Sequence, residues 1–188
     1  MTLDSRLQDT VVNKLACGSF EFGSRWTGAS DNPSTGSWAV STEQQYIGQK
    51  SMKITSSSTT PFMVTPTNAL SLASGKTYTL SAYVLAGNSG AQLRVYTGST
   101  LTVQTDPIAS STSWQRVQVT FTCTSAANTK VYLVNAASGT VYFDCVQLEQ
   151  STSAGRYNMI ENGDMRYTDS GYTSNAYGWS STTPALTW

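Results

Sequence analysis

Apolar and polar side chains alternate along short stretches of this chain and almost nowhere recur with a 3.6-residue period. Between 77 and 86, Tyr78, Leu80, Ala82 and Val84 share one face, while Thr77, Thr79, Ser81 and Tyr83 share the other. Between 115 and 122, Val117, Val119 and Phe121 oppose Arg116, Gln118, Thr120 and Thr122. A period of two with one wet face predicts antiparallel strands that bury one side. Similar β-branched and aromatic runs predict strands near 17–23, 37–43, 51–57, 60–66, 76–86, 92–98, 114–123, 129–135 and 139–149. Ser74-Gly75, Asn88-Ser89-Gly90 and Ser138-Gly139 supply turn residues that tolerate positive φ. Leu, Ala, Glu and Lys never gather into a helical stripe. Many short strands with frequent turns predict an all-β sandwich or barrel.

Composition narrows what such a fold can do. The 188 residues carry 11 basic and 11 acidic side chains and no histidine, and only 12% are charged, against about 25% in ordinary domains. Serine and threonine fill more than a quarter of positions. A neutral chain lacks the basic excess that drives nucleic-acid binding by counterion release. The absence of histidine removes the commonest general base and transition-metal ligand, and with it most triads and catalytic zinc sites. No apolar run approaches the 18 or so residues that span a bilayer. The start, Met1 to Arg6, has neither the basic nor the apolar segment of a signal peptide. Cys17, Cys123 and Cys145 form no zinc pattern. They read as small buried hydrophobes or, in part, as a disulfide.

An internal echo suggests the organisation. Asn13-Lys-Leu-Ala-Cys-Gly-Ser-Phe20 and Asn158-Met-Ile-Glu-Asn-Gly-Asp-Met165 present the same order of asparagine, aliphatic, glycine, small polar and apolar residues, and a tryptophan follows each, Trp26 and Trp179. The echo fits two similar units within one domain, or a tandem array in which a second copy begins. On the tandem reading, 1–12 precede a module over 13–150, 151–157 form a polar flexible linker, and 158–188 open the next copy. The tail is then expected to be less well ordered than 13–149.

Several motifs, in order, resemble the carbohydrate-binding modules of families four, nine and twenty-two. They are the 13–21 opening, which ends Gly18-Ser19-Phe20-Glu21; Gly48-Gln-Lys-Ser-Met-Lys53; Gly75-Lys76-Thr77-Tyr78 leading into a strand; Trp114-Gln-Arg-Val117 with Val119-Thr-Phe-Thr122; and Val141-Tyr-Phe-Asp-Cys-Val-Gln-Leu-Glu149. Each motif alone is weak, and their order and spacing carry the resemblance, which covers about 13–149. The end of the chain resembles the start of a further module, as in large bacterial surface proteins with Rhs-type tyrosine-aspartate repeats. The resemblance implies a jelly roll of two antiparallel sheets with the first and last strands adjacent. It also implies one structural calcium ion, held by Glu21 and Asp144 with carbonyl oxygens near Ser19 and Lys50. The bland alternative is that these two carboxylates cap backbone amides. Cys17 and Cys145 replace the family's usual Asn and Asp on adjacent strands, which suggests a Cys17–Cys145 disulfide.

The resemblance further implies passive glycan binding. A sugar offers apolar C–H faces and a rim of hydroxyls, so its site needs exposed aromatics beside planar polar groups. Outward-facing positions select Tyr83, Gln92, Arg94, Tyr96 and Gln118, with Trp26 and Trp38 on loops. This constellation requires that the strands share a sheet. Paired carboxylates for glycoside hydrolysis must face each other across the bond. Only Glu21 and Asp144 come together here, and a cation explains them better, so no enzyme is expected. The expected function is a non-catalytic glycan-binding module of a larger bacterial extracellular or cell-surface protein. Its partners would be a polysaccharide or cell-wall glycan and neighbouring modules of the chain. The alternative is a spacer or adhesion sandwich without glycan.

Overall fold

A computed structural model describes residues 13–21, 25–88 and 90–156. The segments 1–12 and 158–188, where the preceding linker and second copy were expected, lie outside the described residues. The described part is all-β. In chain order the strands are β1 (Trp26–Gly28), β2 (Gly36–Ser41), β3 (Ser51–Ser56), β4 (Phe62–Pro66), β5 (Thr77–Ala86), β6 (Ala91–Thr97), β7 (Thr100–Gln104), β8 (Gln115–Thr122), β9 (Thr129–Asn135) and β10 (Gly139–Glu149). A 3-10 turn, Ala126–Asn128, precedes β9. Two antiparallel five-stranded sheets face each other. The back sheet has the order β1-β4-β9-β6-β7 and the front sheet β2-β3-β10-β5-β8. This is the two-sheet antiparallel β-sandwich, a jelly roll, that the alternation and motifs imply.

The inward rows form one apolar core. Tyr78, Leu80, Ala82 and Val84 of β5 have at most 1% exposure, as their shared parity demands. They meet Leu93, Val95, Val131 and Leu133 of the back sheet, all fully buried. Burial of such side chains is worth about 1.5–3 kcal/mol each. Asn135 pins the two sheets at one end. Fully buried, it donates through Nδ2 to the carbonyls of Ile54 (3.3 Å) and Gly139 (3.0 Å), and its Oδ1 accepts from Asn88 Nδ2 (3.2 Å).

The stretch 13–20 is not the strand expected near 17–23. Cys17 and Phe20 take φ values of 57° and 63°, which breaks an extended path. The segment instead runs irregularly beside β10. Asn13 Oδ1 accepts the Leu148 amide (2.9 Å), Asn13 Nδ2 donates to the Val146 carbonyl (3.1 Å), and the Val146 amide donates to the Gly18 carbonyl (2.9 Å). The two ends of the module are thus adjacent, as the resemblance implied. Two strands were not anticipated: the three-residue β1, and β7, which follows the turn at Gly98 (φ 61°).

β10 carries the main irregularity. Asp144 pairs with Tyr83 but Gln147 with Ser81, so Cys145 and Val146 of β10 together oppose Ala82 of β5. Cys145 at the bulge has φ 50°. Inward side chains consequently switch from Val141 and Phe143 to Val146 and Leu148. Gly18 packs directly on this bulge. A Cβ built there would lie 2.0 Å from the Val146 carbonyl oxygen. Gly18→Ala should therefore lower the unfolding free energy by about 3 kcal/mol or more, because backbone must move to relieve the overlap. Urea denaturation monitored by tryptophan fluorescence checks this.

Candidate functional site

The sequence-selected constellation divides between the sheets. Tyr83 (β5) and Gln118 (β8) lie on the outer face of the front sheet, and Gln92, Arg94 and Tyr96 (β6) on the outer face of the back sheet. β5 bonds to β10 and β8, whereas β6 bonds to β9 and β7. The connection after Ala86 therefore crosses from one sheet to the other, and outward positions on β5 and β6 point opposite ways. Trp26 is 2% exposed and donates its indole N–H to the Cys17 carbonyl (3.2 Å), so it belongs to the core rather than to a loop platform. Trp38 sits on β2 and packs partly buried against the core. On the back sheet, Arg94 Nη2 donates to Gln92 Oε1 (2.7 Å), Gln92 Nε2 to the Thr105 carbonyl (3.0 Å), and Tyr96 meets Tyr132 edge-on at 5.4 Å. These contacts tie Gln92 and Arg94 together, although the buried Arg94 Nε has no hydrogen-bond partner.

The front face gathers what the sequence reading left scattered. Tyr46, in the loop after β2, stacks on Tyr83 with ring centroids 3.6 Å apart and planes 13° from parallel. Trp114, just before β8, tilts toward Tyr46 at 6.1 Å and 59°. The Arg116 guanidinium lies 5.5 Å from the Tyr83 centroid. Tyr46 is 40% exposed, so its free face and Trp114 form an aromatic wall open to solvent. On one side of this wall, Glu43 accepts both Lys53 Nζ (2.7 Å) and Tyr142 Oη (2.8 Å). The Lys53 hydrogen bond, then Tyr142, holds the Glu43 carboxyl below its usual range. A 300 Å³ depression bounded by Trp38, Glu43 and Lys53 opens beside them. On the other side stand Gln118, Gln147 and Glu149. Burial pushes the Glu149 carboxyl up. A cavity of 510 Å³ lies elsewhere, between Thr65–Leu70 and Ala126–Lys130, and no aromatic side chain lines it.

No periodicity marks Tyr46, which lies outside a strand and reaches the face only through its loop, whereas Trp114, just before β8, shares the outward parity of Arg116 and Gln118. Arg116 was legible as outward-facing. Its partnership with Tyr83 depends on the register that sets Tyr83 opposite Arg116.

The two expected calcium carboxylates hold the Tyr46 loop by its amides. Asp144 Oδ2 accepts from Tyr46 N (2.8 Å) and Ile47 N (3.1 Å), and Oδ1 from Cys145 N (2.6 Å). Glu21 Oε1 accepts from Gln49 N and Lys50 N, both at 2.8 Å. Ser19 Oγ accepts the Glu21 amide (3.5 Å), and Lys50 Nζ donates to the Glu21 carbonyl (2.9 Å). A calcium ion needs six to eight oxygens with lone pairs free. Here three of the four carboxylate oxygens already accept N–H groups, and the Lys50 ammonium bonds the Glu21 carbonyl. The arrangement fits amide capping and does not fit calcium. Cys17, Cys123 and Cys145 are buried as thiols, and no disulfide joins Cys17 to Cys145. The irregular 13–20 segment runs beside β10, but both residues sit at positive-φ corners where the backbone turns.

With this geometry in view, the family can be stated. Residues 12–140 match the family model described as "Carbohydrate binding domain", and the chain belongs to that family. No curated protein is significantly similar in sequence. Among solved structures, the CBM22-1 xylan-binding domain of Paenibacillus barcinonensis Xyn10C is 19% identical, with a TM-score of 0.55, over 77% of this chain and 97% of that one. The C-terminal family 22 carbohydrate-binding module of Clostridium thermocellum Xyn10B is 16% identical, with a TM-score of 0.57, over 77% and 96%. The Stig cyclase Fisc of Fischerella sp. TAU is 12% identical, with a TM-score of 0.57, over 77% and 100%. At these identities the likeness is one of fold.

Asp144 gives the site a pH signature. Burial raises its carboxyl from 3.8 to about 6, against the amides of Ile47, Tyr46 and Cys145, which hold it down. A raised carboxyl contributes stability that is complete below the unfolded value and is lost as pH rises through the folded one. Wild type should therefore lose up to about 3 kcal/mol relative to Asp144→Asn between pH 4 and pH 7. The lost acceptor in Asn adds a pH-independent offset and leaves this slope unchanged. Urea denaturation of both proteins across that range measures it.

Proposed function

We propose that the outer face of the front sheet binds a polysaccharide chain through Tyr46, Tyr83, Trp114 and Arg116. The observation that carries this reading is the solvent-open aromatic wall on that face, in a chain of the carbohydrate-binding family. Sugar rings would lie against Tyr46 and Trp114, whose faces take C–H groups. Arg116, Gln118 and the Glu43–Lys53–Tyr142 group would serve the hydroxyls. Binding would be passive, by stacking and hydrogen bonds.

The name of one structural neighbour, a xylan-binding domain, supports xylan as the first glycan to try. The reading extends to a module of a larger extracellular or cell-surface protein, whose repetition would raise a weak affinity. It needs no calcium, since amides already occupy the two acidic residues that would hold the ion. Millimolar calcium or a chelator should leave the melting temperature unchanged, and a clear upward shift with calcium would reverse this part of the reading.

Affinity electrophoresis through gels containing xylan, mixed-linkage glucan or galactan tests the site. Tyr83→Ala and Trp114→Ala should each weaken retardation at least about tenfold, equivalent to about 1.4 kcal/mol. Tyr96→Ala, on the opposite face, should leave it unchanged. Retardation by none of these gels would favour the spacer.

A further inference from the structure

Part of the front face is covered by the chain itself. Residues 151–156, which composition marks as a flexible linker, lie across β5, β8 and β10. Thr79 Oγ1 donates to the Ser151 carbonyl (2.9 Å) and Thr120 Oγ1 to that of Thr152 (3.5 Å). Gln118 Oε1 accepts the Ala154 amide (3.2 Å) and Glu149 Oε2 the Gly155 amide (2.9 Å). Arg116 Nη2 donates to the Gly155 carbonyl, and Gln147 Nε2 to that of Arg156 (3.4 Å). The coverage explains an oddity of burial. Thr79, Gln147 and Glu149 occupy outward positions, yet their exposure is 0%, 2% and 2%.

Two features make this cover removable. Every one of these contacts uses the backbone of the segment, and the side chains of 151–155 are Ser, Thr, Ser, Ala and Gly, which offer no apolar anchor. The groups beneath it are a guanidinium, two primary amides, a carboxylate and two hydroxyls. These are the planar and hydroxylic partners that sugar hydroxyls use, and they begin one residue from the aromatic wall. Arg116 belongs to both halves, since its guanidinium lies over Tyr83 and also bonds the segment.

We propose that residues 151–156 are a displaceable strap that occupies the polar half of the glycan groove in the free protein. An incoming sugar chain lifts it and takes over Arg116, Gln118, Gln147 and Glu149. This rests on the glycan-binding reading of the same face. The strap then sets affinity and the length of chain recognised: short ligands satisfy the aromatic wall alone, and longer ones must compete with the strap.

The full 188-residue chain tests this by two independent measurements. The double variant Ala154→Pro/Gly155→Pro removes the two strap N–H groups that Gln118 and Glu149 accept and leaves every groove side chain intact. It should bind long xylo-oligosaccharides at least about threefold more tightly than wild type, with circular dichroism and melting temperature confirming its fold. In wild type, hydrogen exchange at Ala154 and Gly155 should quicken on saturation with the same ligand. Binding by the variant where wild type shows none would also support the strap. Two outcomes overturn the strap while Tyr83-dependent binding keeps the glycan reading. One is equal or weaker binding by the variant, and the other is ligand-bound wild type whose strap amides exchange no faster. If neither protein binds any glycan, both readings fall.

Discussion

The one-residue bulge at Asp144–Gln147 in β10 is the constraint on which the rest of the structure depends. β10 is a central strand of the front sheet, paired with β3 on one side and β5 on the other. An extra residue there switches which side chains face inward, so Val141 and Phe143 give way to Val146 and Leu148. Such a kink in a central strand leaves ladder groups unpaired unless another segment supplies partners. The 13–20 segment does so, through Asn13 and Gly18. Only glycine permits the approach, and the positive φ of Cys17 and Cys145 lets both backbones turn at the contact. The opening motif and the last strand are therefore one structural unit, although they lie at opposite ends of the module.

From this unit the functional face follows. Asp144, the last residue before the bulge, faces outward and its carboxylate reaches the Tyr46 and Ile47 amides, while Glu21, close after the 13–20 segment, holds Gln49 and Lys50. Two carboxylates thus shape a loop that has no regular structure of its own, and that loop presents Tyr46 to Tyr83. Beyond the bulge, the shifted parity turns Gln147 and Glu149 outward beneath the 151–156 segment. The same geometry explains why these acids suit amides rather than a hard cation. Their oxygens converge on N–H groups, and the nearby positive charge is the Lys50 ammonium.

The fold alone would not identify what the face does, since a cyclase shares it at a similar TM-score. The distinction lies in side chains. An open aromatic wall flanked by amides and a guanidinium suits a ligand with alternating apolar and hydroxylic surfaces. The neutral, hydroxyl-rich composition agrees with such a partner. It would impose neither charge repulsion nor strong, salt-dependent attraction.

The sequence by itself determined the fold class, most strand positions and the inward rows, because alternation and turn residues are local signals. β5, β8, β9 and β10 were legible nearly to the residue. It also determined the family, through ordered motifs. It could not assign strands to sheets, because hydrogen-bond partners of β5 and β6 are chosen by the whole topology. Hence Gln92, Arg94 and Tyr96 were grouped with residues on the opposite side of the molecule. Trp26 looked like a loop platform because its burial comes from Phe20 and the Cys17 carbonyl, which reach it only in three dimensions. Tyr46 joined the site through a loop held by distant carboxylates, and Trp114 by register. The polar 151–156 segment was read as a linker because its affinity for the sheet resides in its backbone, which composition does not record. Local periodicity reports what each strand buries, and only the tertiary structure decides which outward faces meet.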